Sequence, residues 1–598
     1  MVWRAVTLDL DGPASGETAT PSPFADYRLD VTLTQGDRRY VVPGYFAACG
    51  DAADTGCTSG SVWRVRFTPD APGMWSYAIS FLGGEDVAVS GQGAPLRPWH
   101  GATGRFEVAP AGAPEADPRN RGRLVYDGSR YLKYSATGEP FFKVGADAPE
   151  NMLAYEGFDA TPNVRGYRKS WAPHLRDGSN VDLKTYGWKG RGQGILGAVA
   201  YLADQGMNAV SFLTFNVAGD DQNVFPHLMK IDAKRYEAFG EDEKTLRQQW
   251  DQGLHRDRFD VSKLDQWERV LAYANDRGLF LHFKLQENEN THLMDGGATG
   301  RERILYLREI VARFSHYLAL NWNIGEENDR PSEDHVAMLS ALGSLDPYGH
   351  LRVMHSFPDH KNKHYAPLLG DRSALTGVSL QGSKQDMADV RSDTIEWLRR
   401  SGEAGKQWVA AYDEAGSAEG GAPVDAGYPD ARLPSERKIP DDRTLIRGKV
   451  LWAVLTAGGT GVEYYYGYST GCTDLNCQDH RTRADKWHDG RAALAFFRAH
   501  VGRHARAMQA MDDLTGRSDD YVFAKPGERY VVYLPDGALA NLAVPDAGPY
   551  RVAWYDPREG GDLQNAKVLT AEEGALMLGA APSARDRDWV VLVERAAR

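Results

Sequence analysis

What the sequence lacks narrows the field before any motif is read. No apolar run reaches the ~18 residues of a membrane-spanning helix, so no transmembrane helix is expected. Basic residues are in deficit: 69 Lys and Arg stand against 82 Asp and Glu, a formal net charge of −13. That balance excludes the broad basic face of a nucleic-acid binder. Cysteine is scarce, with four residues in two local pairs. Cys49 and Cys57 bracket "CGDAADTGC", and Cys472 and Cys477 bracket "CTDLNC". Such spacing reads either as disulfides closing surface loops in an oxidising compartment or as free thiols. Neither pair has zinc-type spacing or a neighbouring histidine, and no metal or other cofactor is expected. Internal repeats, low-complexity tracts and a glycine-rich phosphate fingerprint are also missing. The start, "MVWRAVTLDLDGP", has no signal-peptide character. The expected setting is secreted or periplasmic with the leader removed, or else cytoplasmic.

The remaining composition belongs to a multidomain globular protein, because 598 residues exceed one ordinary core. Three rhythms follow one another. Residues 1–110 alternate apolar and polar positions in "YRLDVTLTQGDRRYVVPGYF" and "SVWRVRFTPDAPGMWSYAISF", the pattern of an Ig-like β-sandwich. The linker "PAGAPEADPRNRG" follows. Residues 125–513 then alternate short apolar strands with amphipathic helices such as "SKLDQWERVLAYANDRG" and "RERILYLREIVARFSHY". Eight strand candidates in this order predict a (β/α)8 barrel. Alternation returns over residues 516–598, predicting a small C-terminal β-sandwich. The expected fold is therefore multidomain, with a central TIM barrel flanked by two β-sandwiches.

A barrel of this type carries its chemistry at the C-terminal ends of its strands. The residues there are Asp147 and Asn151 (strand one), Asn216 (two), Lys284 and Glu287 (three), Glu326 and Glu327 (four), His355 (five), Gln381 (six), Asp413 and Glu414 (seven), and Tyr464 to Tyr468 (eight). Carboxylates, amides and aromatic rings around one mouth suit a carbohydrate: acids for bond cleavage, polar groups for hydroxyls, rings for the sugar faces. Alternation along strand seven predicts that only one of Asp413 and Glu414 enters the mouth. Tyr464 and Tyr466 are candidate stacking platforms. Arg481 and Arg483, in the loop "CTDLNCQDHRTRADKWH", are candidates for binding a carboxylate or sulfate.

"WNIGEE" resembles the Trp-x-x-Gly-x-Glu pattern that ends strand four in the large clan of retaining (β/α)8 glycoside hydrolases. The resemblance implies Glu327 as acid/base and Glu414, in "AAYDEAG", as nucleophile. The clan has Asn where this chain has Glu326, which leaves Glu326 open as the acid. The phrases "LDGP", "SPF", "VPGYF" and "WRVRFTPDAPGMWSY" resemble the DUF5060-type domain that precedes glycoside hydrolases of the apiosidase-like group. "LWAVLTAGGTGVEYYYGY" and "DLNCQDHRTR" are similar to the barrel of that group, and the tail is similar to its collagen-binding-like domain. What this implies is hydrolysis of glycosidic bonds in a poly- or oligosaccharide, with a carbohydrate as the partner. Glu327 and Glu414 are then catalytic, and Asp147, Asn151, Asn216, Lys284, Glu287, Glu326, His355, Gln381, Tyr464, Tyr466 and Arg481 bind substrate. Two other readings compete: a non-catalytic glycan- or matrix-binding protein, and a polysaccharide lyase acting on a uronic-acid glycan.

Overall fold

The structure, a computed structural model, describes residues 1–240, 246–428, 443–572 and 574–596. Eight parallel strands form the centre: Lys143–Asp147, Ala209–Leu213, Phe280–Lys284, Leu320–Asn323, Leu351–Val353, Gly377–Gln381, Val409–Glu414 and Gly461–Tyr465. We call them barrel strands one to eight. Each pairs with its neighbours in parallel, and strand eight returns to strand one. Between strands five and six the ring closes through the parallel bridge of His355 with Ser379. Every residue of strands one, two, three, four, six, seven and eight is buried, on both faces. That is why the sequence shows continuous apolar runs there instead of alternation.

Helices cover the outside. Gln193–Asp204, Val261–Asp276, Arg301–Phe314, Ser332–Leu345, Val390–Glu403 and Ala484–Phe496 follow strands one, two, three, four, six and eight. Asp260 caps Val261–Asp276 by accepting from the Lys263 amide at 2.9 Å. The helix Ser332–Leu345 buries His335, Met338, Leu339 and Leu342, one face at helical spacing.

The base of the barrel is closed by a hairpin of Leu124–Val125 and Lys133–Tyr134. Leu124, Leu132, Tyr134 and Phe141 pack there against Ala209, Phe280, Leu351, Val353 and Val409. Above this apolar plug the interior is ionic. Lys143 reaches Asp413 and Glu463, and His282 Nδ1 lies 2.8 Å from Glu463 Oε2.

The N-terminal sandwich has a three-stranded sheet (Val6–Gly16, Ser59–Phe67, Tyr45–Phe46) facing a five-stranded one built on Tyr27–Gln35 and Gly73–Gly83. Trp63, Trp75, Phe67 and Phe81 fill its core. It docks on two barrel helices. Glu17 Oε1 accepts from the Val261 amide at 2.8 Å, Arg308 Nη2 donates to Asp30 at 2.8 Å, and Arg313 Nη2 donates to the Phe46 carbonyl at 3.2 Å. The C-terminal sandwich is a six-stranded sheet with a two-stranded partner. Its first strand, Gln509–Ala510, lies inside the stretch expected to belong to the barrel, because it pairs with Tyr521–Lys525. Arg447, 3% exposed by its side chain, joins the two bodies through Asp588 at 2.7 Å. Both cysteine pairs are disulfides, Cys49–Cys57 and Cys472–Cys477.

Candidate active site

The loop after strand four sets the site. Gly325 has φ +152, where a Cβ would approach Asn328 Nδ2 to 2.9 Å. Glu327 has φ +48, a left-handed conformation that costs a non-glycine residue energy and marks functional loops. The loop is held from both sides: the Glu326 amide donates to the Gln286 carbonyl (2.9 Å) and the Asn328 amide to the His355 carbonyl (3.1 Å). The left-handed turn lets two consecutive side chains converge on the mouth.

Glu326 and Glu327 have different partners there. Glu326 Oε1 accepts from Lys284 Nζ at 2.6 Å, and the same ammonium donates to Asp147 Oδ1 at 2.9 Å. Burial alone would strip Lys284 of its proton, but Asp147 and Glu326 together hold its pKa well above the usual lysine value. Asp147 also accepts from Ser211, and burial pushes it up to about 6.

Glu327 faces Glu414 instead. Gln381 Nε2 donates to Glu327 Oε1 at 2.7 Å and to Glu414 Oε1 at 2.9 Å. Both bonds share one nitrogen, so these two oxygens are no farther apart than the two bonds laid end to end. His355 Nε2 lies 3.3 Å from Glu414 Oε2, an ionic contact rather than an aligned hydrogen bond. Burial raises the pKa of both carboxyl groups, yet the outcomes diverge. Glu327, buried beside Glu414, is pushed up to about 8, with Glu326 adding a smaller upward push. For Glu414 the burial effect is overcome by His355, Lys284 and Gln381, which hold it below the ordinary carboxyl value. His355, in turn, is raised: its burial is outweighed by Glu414. These opposite shifts favour the protonated form of Glu327 and the ionised form of Glu414 at neutral pH, across a short gap.

Strand seven reaches this geometry through an irregularity. Leu380 pairs with Tyr412, but Gln381 pairs with Glu414, so one residue is skipped. Tyr412 points outward, its hydroxyl on Asp393 at 3.1 Å. Asp413 points inward to Lys143, and the bulge turns Glu414 inward as well. Strict alternation predicted one inward carboxylate; there are two, at different depths.

The remaining expected residues divide. Lys284, Glu326, His355 and Gln381 belong to the central cluster, with Asp147 beneath. Asn216 and Asn151 act mainly as struts. Asn216 Nδ2 donates to Glu150 Oε2 at 2.7 Å, and Asn151 Nδ2 donates to the Leu475 carbonyl at 2.8 Å. Glu287 stands 6% exposed in a second acidic group with Glu150, Asp220, Glu289 and Asp474. Gly219 lies so close that a Cβ there would sit 1.7 Å from Glu287 Oε2.

Three expectations are corrected. Tyr464 packs outward on Trp487 at 5.9 Å between ring centres. Tyr466 bonds His480 at 2.6 Å and lies under Arg483. Alternation instead gives the mouth to Tyr465, whose hydroxyl donates to Asp474 Oδ2 at 2.8 Å. Arg481 is consumed by Asp177 and Asp479 and sits over Tyr201. Its neighbour Arg483 is fully buried, donating to the carbonyls of Ala422 (3.0 Å), Tyr466 (2.9 Å) and Cys472 (2.7 Å).

Sequence reasoning also missed His282, Glu463 and Lys143, which lie mid-strand below the mouth, and Lys169. Lys169 donates to the carbonyls of Asp474, Leu475 and Cys477 at 3.2, 2.9 and 2.8 Å. No signal in a single strand marks these, because their partners come from distant strands.

Among the described residues, three groups bring His and carboxylate atoms within 4.8 Å of one another: Glu326, His355 and Glu414; His282, Asp413 and Glu463; and Asp329, His360 and His364. In each, a lysine ammonium pairs with a carboxylate of the group: Lys284 with Glu326 in the first, Lys143 with Asp413 and Glu463 in the second, and Lys363, 2.7 Å from Asp329 Oδ1, in the third.

Comparison with known proteins agrees with this layout. Residues 1–82 match the family described as "Domain of unknown function (DUF5060)", and residues 508–594 match "Putative collagen-binding domain of a collagenase". No curated protein matches the chain in sequence. A solved structure from Bacteroides vulgatus ATCC 8482, titled a putative glycoside hydrolase, is 16% identical with a TM-score of 0.62 and covers 99% of each chain. A second from the same organism, titled a glycoside hydrolase family 5 protein, is 13% identical with a TM-score of 0.51. That match covers 80% of this chain and 94% of the other. At such identities the likeness is one of fold: a central (β/α)8 barrel between an N-terminal and a C-terminal β-sandwich.

Proposed function

We propose that the protein is a glycoside hydrolase that cleaves with retention, Glu414 acting as nucleophile and Glu327 as acid/base. The observation that carries this is the single Gln381 nitrogen accepted by both carboxylates. Retaining enzymes hold their two carboxyl groups about 5–5.5 Å apart, and inverting enzymes about 6.5–9.5 Å apart to admit a water. A shared donor at 2.7 and 2.9 Å supports the shorter class.

Glu414 Oε attacks the anomeric carbon and the glycosidic C–O bond breaks. Glu327 gives its proton to the departing oxygen. A water then delivers a proton to Glu327 while its oxygen attacks the anomeric carbon, releasing Glu414 as carboxylate. Glu326 is assigned no proton transfer, since its Oε1 is engaged by Lys284 Nζ at 2.6 Å, although burial holds its carboxyl above the ordinary value despite that contact. The divergence of Glu327 upward and Glu414 downward supports these roles. The titles of the structural relatives agree with this class of reaction. The two disulfides suit an oxidising compartment outside the cytoplasm. Among the described residues, no helix is long and apolar enough to cross a membrane.

Proton NMR of a cleaved oligosaccharide tests the reading directly. The first-formed anomer should match the substrate's configuration, and an inverted product would refute the nucleophile assignment.

A further inference from the structure

The third group of histidine and carboxylate atoms lies outside the catalytic pair. Asp329 comes from the loop after strand four, two residues beyond Glu327. His360 and His364 come from the loop after strand five, where Pro358–His360 and Lys361–Tyr365 run on as consecutive helical turns. Four positions apart, the two rings share one face. His364 Nε2 lies 2.6 Å and His360 Nδ1 3.6 Å from Asp329 Oδ1, and the three atoms lie within 4.8 Å of one another. Ligands of a tetrahedral zinc, each about 2.0–2.1 Å from the metal, stand about 3.3 Å apart. Small side-chain adjustments therefore bring all three atoms to bonding distance of one ion. His360 Nδ1 is already turned to Asp329 and has no hydrogen-bond partner among the described residues.

The cations already present separate this group from the other two. Lys284 and Lys143, with side chains 0% and 3% exposed, are each held by two carboxylates, so a metal entering there would have to displace a buried ammonium. Lys363 is 61% exposed and pairs with Asp329, so it can swing into solvent at little cost. Asp329 and His360 are themselves half-exposed, which leaves room for water to complete the coordination. The backbone that carries the ligands is fixed on both sides. Asn328 Oδ1 lies 3.0 Å from His335 Nε2, and the Tyr365 hydroxyl donates to the Ser379 carbonyl at 3.1 Å. Two imidazoles and a carboxylate suit zinc and its borderline neighbours better than calcium or magnesium, which take oxygen ligands.

We propose that Asp329, His360 and His364 bind one divalent transition-metal ion of the zinc type, which clasps the loops after strands four and five. None of the four cysteines takes part, both pairs being disulfides. The clasp does not rest on the hydrolase reading.

The untagged full chain, stripped with EDTA, can be titrated with zinc chloride by calorimetry and with cobalt chloride by visible absorption. One ion per chain should bind, and zinc should raise Tm. His360→Ala and Asp329→Asn, both at half-exposed positions, should each weaken zinc binding at least about tenfold and shrink the rise in Tm. Lys363→Ala removes the competing ammonium and should tighten binding. No binding by the native chain overturns the proposal. So does binding equally tight in both ligand variants, which would place the zinc elsewhere, for instance on Glu326, His355 and Glu414.

Discussion

At the base of the barrel, Phe280, Leu351, Val353 and Val409 meet Phe141 and the hairpin residues Leu124, Leu132 and Tyr134 in an apolar plug. At the C-terminal ends of the same strands, Lys284, Asp147, Glu326, His355 and Glu414 are equally buried but ionic. The base gains stability from apolar area removed from water. The mouth holds charges whose desolvation is offset by their partners, so losing one partner leaves another charge stranded. The same strand geometry thus serves stability at one end and reactivity at the other.

Six substitutions test that division, from the largest expected effect to the smallest. Glu414→Gln should lower kcat by about 10⁴-fold with the circular dichroism spectrum unchanged, since it removes the proposed attacking oxygen. A near-normal rate would remove the mouth's claimed role.

Glu327→Gln should cost about 10²–10⁴-fold, least on substrates with good leaving groups. The pH profile gives a further reading. The acid must carry its proton, so activity of the native chain should fall as pH rises through about 8. The nucleophile must be ionised, so the acid limb should lie below the ordinary carboxyl range. Residual activity of the Glu327→Gln protein should lack the alkaline limb. Linkage has the same sign. Glu327 is raised on folding, so its contribution to stability is full below pH 4.5 and is lost as pH rises toward 8.

Lys284→Met and Phe280→Ala probe the two ends directly. Each should lower unfolding free energy by about 3–5 kcal/mol, the first by stranding Asp147 and Glu326, the second by leaving a cavity. Denaturant midpoints measure both, but only Lys284→Met should displace the pH–rate profile. If Phe280→Ala moves that profile equally, base and mouth are not separable.

The smallest contrast lies on strand eight. Tyr465→Phe removes a bond to Asp474 and should reduce kcat/KM by about tenfold. Tyr464→Phe removes a hydroxyl that has no partner and should leave kinetics unchanged.

Much of this was legible in the chain. The helical period around Trp267 and Tyr306 and the polar ends of eight short strands were enough to place Glu327 and Glu414 at one mouth. Where the reading failed, a neighbour from elsewhere decided the outcome. Tyr464 and Tyr466 were expected in the mouth, but the phase of strand eight gave it to Tyr465. Arg481 looked available until Asp177, some 300 residues earlier in the chain, paired with it. The inward turn of both Asp413 and Glu414 follows from a skipped pairing with strand six, which no residue of strand seven announces.

By itself, the order of residues determined three things: the alternation of strand and helix, the sandwich rhythms on either side, and the acids and amides that end the strands. Those are properties of neighbours within a few positions, and backbone geometry translates them directly. Tertiary structure alone decided which carboxyl keeps its proton, which lysine is already spoken for, and which tyrosine sees the cavity. Charge state and free valence depend on burial and on partners from other strands, and these exist only once the ring has closed.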